Sequence, residues 1–281
     1  MPLQLSTCNR AYEVNPGLKV WDYNRRRMKE VYWTRQAQQP LGILCGSDAG
    51  QEWLLPWWWE RYAEHNAFPV TFVDFGMSDQ GRSFCRERGE SVLLDRDDSF
   101  VSMREEIDLE RVRTWEGFYG KTLWPCRRHW FKKPFALLHS PYEKTLWLDL
   151  DCEVLGPLSE IFSYCSKDTP IALVRELREE VKFNGGVIVF MHGTEIIRRW
   201  AQDALTRNDC FWSDDALLSA LIQEMEVPVA ELPEHYNWWF SKGLHLNPTI
   251  HHWLGGAGKA YIKHYGGIKP LLNTIPRGDV E

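Results

Sequence analysis

The chain has 281 residues, 44% of them hydrophobic and 26% charged. This is ordinary globular composition, which excludes disordered, collagen-like and low-complexity classes, and at about 150 residues per domain the length allows one or two domains. The net charge of −6 argues against a dedicated nucleic-acid binder, and no run of about 18 apolar residues is present to span a membrane.

Residues 1–40 are polar and basic, with Arg25, Arg26, Arg27, Lys29 and Arg35, and read as an extension outside the main core. A solvated face is the simpler account of such a charge run; a docking surface for an anionic partner is the sharper one. Met1 to Tyr12 lack the basic-then-apolar pattern of a secretory signal. At residue 41 the pattern changes. Leu41 to Cys45 reads as a buried strand ended by Gly46-Ser47-Asp48, Gln51 to His65 as a helix, and Pro69 to Phe75 as a second strand. That is a β-α-β unit, the opening of a parallel sheet. Helices are expected over Leu109 to Trp115 and Trp130 to His139, a strand over Thr145 to Leu150, and a helix over Leu158 to Tyr164. Strands follow at Ile171 to Val174 and Gly186 to Met191, then helices at Glu195 to Ala204 and Asp215 to Met225. The remainder is rich in loops and aromatics. The expected division is an extension over 1–40, one α/β domain over 41–268 and a tail over 269–281.

The seven cysteines are scattered and no Cys-x-x-Cys occurs, so neither a zinc ribbon nor a thioredoxin-type site is indicated. Asn247-Pro248-Thr249 is disqualified as a glycosylation site by its proline. Both features favour a reducing cytoplasm.

The strongest chemical signal is Leu146-Trp147-Leu148-Asp149-Leu150-Asp151. A strand entering the core should not carry two unpaired carboxylates. If the strand continues, alternation puts Asp149 and Asp151 on one side, where two like charges call for a cation. A divalent metal held by carboxylates and substrate phosphates meets that need; solvated acids at an exposed strand end are the plainer reading. Asn184-Gly185-Gly186 precedes a buried strand, where glycines permit close backbone approach to a ligand or simply make a hairpin turn. In Trp212-Ser213-Asp214-Asp215, Ser213 or Asp214 can cap the following helix, which leaves an acid over for substrate. Ile250-His251-His252-Trp253-Leu254-Gly255-Gly256-Ala257-Gly258-Lys259 joins imidazoles to a glycine stretch and a lysine. It is not a P-loop, because the spacing fails and no strong helix follows, yet backbone N–H groups with a lysine suit a diphosphate. In an extended stretch only one of His251 and His252 faces a metal.

In this order the motifs resemble a retaining glycosyltransferase of GT-A fold, similar to the family of glycogenin and the bacterial lipopolysaccharide galactosyltransferases, over residues 41–265. The resemblance implies a Rossmann-like α/β domain with a mixed, mostly parallel sheet. It implies Asp48 at the nucleotide base, and Lys132, seventeen positions before Asp149, at the phosphates. Asp149, Asp151 and His252 would hold Mn2+ or Mg2+; His252 is favoured over His251 by its spacing to Gly255. Gly185, Gly186, Gly255 and Lys259 would border the donor, a UDP-sugar, and Asn184 with Asp214 or Asp215 would lie near the transferred sugar. Leu232 to Asn237 resembles the family's Leu-Pro-x-x-x-Asn. The chain departs from the pattern in three places: an acid stands for the usual Gln near the anomeric carbon, one glycine is inserted before Lys259, and Lys259-Ala260-Tyr261 replaces Lys-Pro-Trp. The implied acceptor is a glycan, lipid or protein, with no nucleic acid and no membrane span.

Among the 15 tryptophans, Trp57, Trp58 and Trp59 cannot share one helix face. Trp238, Trp239 and Trp253 either pack the core or line an acceptor pocket. Two other classes compete with a glycosyltransferase. One is a nucleotidyltransferase, for which Gly46 to Gly50 is a poor phosphate loop; the other is a catalytically silent sugar- or nucleotide-binding protein.

Overall fold

Alternating side chains along buried strands force layers onto both faces of a sheet. The computed structural model describes residues 21–22, 27–28, 31–95, 98–176, 181–239 and 247–272. Arg25, Arg26, Lys29, Cys8 and residues 273–281 lie outside them. In chain order the strands are β1 (Trp21–Asp22), β2 (Arg27–Met28), β3 (Gln39–Ser47), β4 (Val70–Asp74), β5 (Glu90–Leu93) and β6 (Tyr142–Leu148). Then come β7 (Cys152–Val154), β8 (Ile171–Arg175), β9 (Phe183–Met191), β10 (Val229–Glu231), β11 (Trp238–Trp239) and β12 (Ile250–His252). The helices are α1 (Leu54–Ala63), α2 (Asp79–Arg86), α3 (Leu109–Tyr119), α4 (Leu123–Trp130), α5 (Lys133–Leu137), α6 (Glu195–Thr206), α7 (Asp214–Glu224), α8 (Gly255–Tyr265) and α9 (Lys269–Leu272).

Seven strands form the central sheet in the order β10-β8-β9-β6-β3-β4-β5. All its pairings are parallel except those of β9, which runs antiparallel to both β6 and β8. The expected mixed, mostly parallel α/β sheet is therefore present. Ile43, Cys45, Leu146, Leu148, Val187 and Val189 face one hydrophobic layer, with α1 and the small β11-β12-β7 sheet. Leu44, Trp147, Ile188 and Phe190 face the other, with α5, α6 and α7. On α6 the buried residues Ile196, Ile197, Trp200, Ala201 and Ala204 recur at helical spacing and form its inner stripe. A third cluster, around Val112, Trp115, Leu123 and Trp212, joins α3 and α4 to the start of α7.

Several element boundaries differ from expectation. The helix expected over Trp130 to His139 is two, because Pro134 lies in the first turn of a new helix, α5, after a break at Phe131 and Lys132. Leu158 to Tyr164 contains only a 3-10 turn, Glu160–Tyr164. A helix does follow the glycine stretch, α8, which was not expected. Gly255 opens it at φ 70°, and a Cβ on Gly258 would lie 2.3 Å from the Trp253 carbonyl oxygen, so helix and preceding strand meet there only through glycine. The six cysteines within the described residues are free thiols. No helix of the described residues is long and apolar enough to cross a membrane.

Candidate active site

The parallel strands β3, β4 and β6 end on one side of the sheet, the side where open α/β sheets take ligands. The β6–β9 ladder ends with Leu148 opposite Val187, and the Asp149 N–H donates to the Gly186 carbonyl at 2.9 Å. The chain then turns, with the Cys152 N–H bonded to the Asp149 carbonyl at 3.0 Å. Asp149 and Asp151 thus converge through a tight turn after β6 and not through alternation along it, as expected from sequence. After the turn β7 pairs antiparallel with β12, and Cys152 stands opposite His252. That pairing carries the imidazole to the acids: His252 Nε2 is 3.3 Å from Asp151 Oδ1 and 4.0 Å from Asp149 Oδ2. The three side chains offer ligand atoms that all lie within 4.8 Å of one another. Two carboxylates and an imidazole suit a divalent cation that accepts oxygen and nitrogen. His251, the preceding residue, turns away. It is buried against Trp253 at 4.2 Å between ring centroids, and burial pushes its pKa down to about 4.

Two lysines answer the acids. Lys259 Nζ, from α8, lies 2.5 Å from Asp151 Oδ2. Burial opposes ionisation of Asp151, but the Lys259 ammonium beside it holds its carboxyl well below the usual range. Lys133, at the start of α5, lies 3.2 Å from Asp149 Oδ2 and 3.5 Å from Asp214 Oδ2, and donates to the Gly185 carbonyl at 3.0 Å. Burial works against its charge, yet Asp149, Asp214 and Asp215 raise its pKa above the ordinary lysine value. Sequence spacing pointed to Lys132. Lys132 is instead the N-cap residue of α5, and among the described residues it makes no ion pair with these acids. The break before α5 puts the neighbouring lysine into the site.

Ser213 caps α7, accepting from the Ala216 N–H at 3.1 Å. Asp214 is therefore free of capping duty and sits buried in the first turn. Burial and Asp149 push its carboxyl up while Lys133 pulls it down, and Oδ2 has no hydrogen-bond partner among the described residues. Asp215 Oδ1 accepts from the Gly185 N–H at 3.1 Å, and burial with Asp214 nearby drives its carboxyl well up.

Asn184, Gly185 and Gly186 lie inside β9 and not in a hairpin turn, at an irregularity where the pairing with β8 passes from Leu173–Ile188 to Val174–Asn184. The glycines admit protein side chains. A Cβ on Gly186 would come within 2.0 Å of His252 Cε1, and one on Gly185 within 2.2 Å of Asp215 Oδ1. Asn184 is buried in hydrogen bonds to Glu176, Gly186 and Asn237. Gly255 belongs to the first turn of α8, whose N–H groups lack intrahelical partners and favour an anion.

Asp48 follows β3. Its Oδ1 accepts from the Gly50 and Gln51 N–H groups at 2.8 and 2.9 Å, and its Oδ2 lies 2.9 Å from His129 Nδ1 of α4. The His129 bond holds the Asp48 carboxyl below its ordinary value. Those loop N–H groups are occupied by a carboxylate, so the Gly46–Gly50 turn does not form a phosphate cradle of the nucleotidyltransferase kind.

The tryptophans divide. Trp58 stacks on Tyr62 in the core, and Trp57 donates to the Gly266 carbonyl at 2.9 Å. Trp239 and Trp253 are buried, the latter stacked on Tyr261 and bonded to Glu153, so neither lines an acceptor pocket. Sequence reasoning missed Lys133, His129 and the role of Asn237; only Asn237 lay within a motif that marked it.

No family model and no curated protein matches the chain. Solved structures do. The glycosyltransferase GlyE of Streptococcus pneumoniae TIGR4 matches with a TM-score of 0.55 and 17% identity, covering 78% of this chain and 55% of that one. The galactosyltransferase LgtC, solved with donor and acceptor sugar analogs, matches at 0.50 and 14% identity, covering 84% and 98%. WbbM, a bifunctional glycosyltransferase, matches at 0.51 and 11%, covering 78% and 46%. The chain thus spans about half of the GlyE and WbbM chains and nearly all of LgtC. Identities this low speak to fold alone, and the fold is the expected GT-A glycosyltransferase fold.

Proposed function

We propose that the chain is a metal-dependent glycosyltransferase that moves a sugar from a nucleotide-diphosphate sugar, a UDP-sugar, to a glycan, lipid or protein acceptor with retention of configuration. One observation carries this reading: Asp149, Asp151 and His252 converge at the ligand-binding edge of a glycosyltransferase fold. Asp149, Asp151 and His252 would hold Mn2+ or Mg2+, which would supply Lewis-acid neutralisation of diphosphate charge. Lys259 and the first turn of α8 at Gly255 give the diphosphate further positive potential, and Lys132 remains a candidate for its outer oxygens. Asp48 meets the base, exchanging its His129 partner for it. In the reaction the bond from the anomeric carbon to the diphosphate oxygen breaks, and its electron pair leaves with the nucleotide. A bond to an acceptor oxygen forms, and the proton of that hydroxyl passes to the departing diphosphate oxygen. Positive charge on the anomeric carbon rises as the bond breaks, and Asp214 stands to stabilise it. Lys133 holds Asp214 and Asp149 apart from mutual repulsion, while Asn184, Asp215, Gly185 and Gly186 shape the floor beneath the sugar. The free thiols fit a reducing, cytoplasmic setting.

The test is a thermal-shift screen of nucleotide sugars with and without manganese, followed by donor hydrolysis on the hits. A ligand at a hundred times its Kd adds about 2.7 kcal/mol. Manganese-dependent stabilisation with slow donor hydrolysis supports the reading. Stabilisation without any turnover on any acceptor makes the protein a silent binder, and no stabilisation by any nucleotide sugar refutes both.

A further inference from the structure

Four buried groups beneath the acids form one hydrogen-bonded line whose polarity is fixed at its far end. The Gly186 backbone N–H, which can only donate, bonds Asn184 Oδ1 at 3.0 Å. At the other end of the same amide, Asn184 Nδ2 donates to the Glu176 carboxylate at 3.2 Å. These two contacts leave one orientation for the Asn184 amide. Asn184 Oδ1 also lies 2.8 Å from Asn237, so the Asn237 atom there is the donor, Nδ2. Asn237 Oδ1 is then left facing His252 Nδ1 at 3.0 Å. A carbonyl oxygen only accepts, so Nδ1 must carry the proton. The opposite nitrogen, Nε2, points at Asp151 Oδ1 and Asp149 Oδ2.

We infer that Asn237 is a positioning residue that fixes His252 as the Nδ1–H tautomer, so that Nε2 presents a lone pair to the space between Asp149 and Asp151 before any ion arrives. The inference rests on the metal-dependent reading for its purpose but not for its geometry. Asn237 and His252 are 0% and 2% exposed, so water does not compete for the bond. Gly186 serves the arrangement three times: its N–H orients Asn184, its carbonyl accepts from Asp149, and its missing Cβ seats the His252 ring. An imidazole whose other nitrogen is held by a fixed acceptor is a better and better-aimed metal ligand.

The direct test is a long-range 1H–15N spectrum of the full chain, 15N-labelled at histidine and freed of metal with EDTA, at pH 8. His252 is assigned by its loss in His252→Gln. A protonated Nδ1 and a bare Nε2 support the inference; a protonated Nε2 overturns it. In Asn237→Ala the tautomers should mix and manganese affinity, read from free Mn2+ by electron paramagnetic resonance, should fall about 10- to 100-fold. An unchanged tautomer and affinity in folded Asn237→Ala would also overturn it, and the wild-type spectrum decides alone if that variant does not fold. An Nδ1–H His252 in a protein that binds no manganese supports the tautomer assignment and removes the metal-dependent reading instead.

Discussion

Asp151 and Glu153 stand two residues apart, both buried, and differ in how fully their charge is answered. Glu153 Oε2 accepts from Trp253 Nε1 at 2.9 Å and the Ile268 N–H at 2.7 Å, and Oε1 accepts from the Lys269 N–H at 3.1 Å with Arg61 Nε at 3.3 Å. A Cβ on Gly267, at φ 94°, would strike that carboxylate at 2.3 Å, so the turn needs glycine for conformation and for space. Burial still pushes the Glu153 carboxyl up, but its donors are complete, and they pin the α8–α9 turn against α1. Around Asp151 the acceptors outnumber the cations: Asp149, Asp151, Asp214, Asp215 and His252 face Lys133 and Lys259. A buried acid therefore does not mark function by itself; a surplus of acceptors around it does.

The comparison breaks most readily on stability. Glu153→Ala strands three buried donors and the Arg61 charge and should cost about 3–5 kcal/mol in urea unfolding. Without metal, the Asp149→Asn/Asp151→Asn pair should lie within about 1 kcal/mol of wild type, since it relieves repulsion as it loses ion pairs. The reverse order of effects would undo the distinction.

Lys133→Met sharpens it. Removing the shared cation leaves Asp149, Asp214 and Asp215 to repel one another, with an expected loss of about 3 kcal/mol at pH 8. Burial already holds the Asp214 and Asp215 carboxyls above their ordinary values, and loss of Lys133 raises them further, so the folded form takes up protons first as pH falls. The deficit should therefore shrink between pH 8 and pH 5 in paired thermal melts. A deficit constant with pH would show that Lys133 acts by packing.

Asp214→Asn should lower kcat about 100-fold while UDP affinity barely moves, because the diphosphate contacts remain. Ser213 is the cap, so stability should change little. Loss of turnover in Asp215→Asn with normal Asp214→Asn would move the role by one residue.

The smallest effect belongs to Asp48→Asn. The amide oxygen keeps the turn bonds to Gly50 and Gln51 but the side chain loses the carboxylate's contact with His129, a half-exposed contact worth under about 1 kcal/mol. Asp48 is depressed in the folded state, so that contribution is present at neutral pH and disappears as pH falls through its folded pKa. Melts at pH 7 and pH 3 check it.

Much of this was legible because burial and alternation are local. The apolar runs of β3, β4, β6, β8 and β9 and the stripes of α6 and α7 stand in the sequence, and so do Asp149 and Asp151 as acids where a core strand ends. Most of what failed depended on contacts distant in sequence. Lys132 is the exception: the family-like spacing points to it, while the break that brings Lys133 to Asp149 is marked by Pro134, a local signal that a single helix from Trp130 to His139 passes over. Gly185 and Gly186 read as room for a ligand, yet they make room for Asp215 and His252, from segments 30 and 66 residues away. Glycine content hid α8, which packs Gly258 and Tyr261 against Trp253. Trp239 and Trp253 looked like pocket walls because composition cannot tell a buried indole from an exposed one.

The central claim is that the surplus of acceptors at Asp149, Asp151 and His252 exists to hold a cation that binds the donor. Isothermal titration of UDP into the full chain, in manganese and in EDTA, tests it most directly. The account predicts binding in manganese, loss of that binding in EDTA, and no manganese-dependent binding in a folded Asp149→Asn/Asp151→Asn variant. Equal UDP affinity in manganese and in EDTA would contradict it.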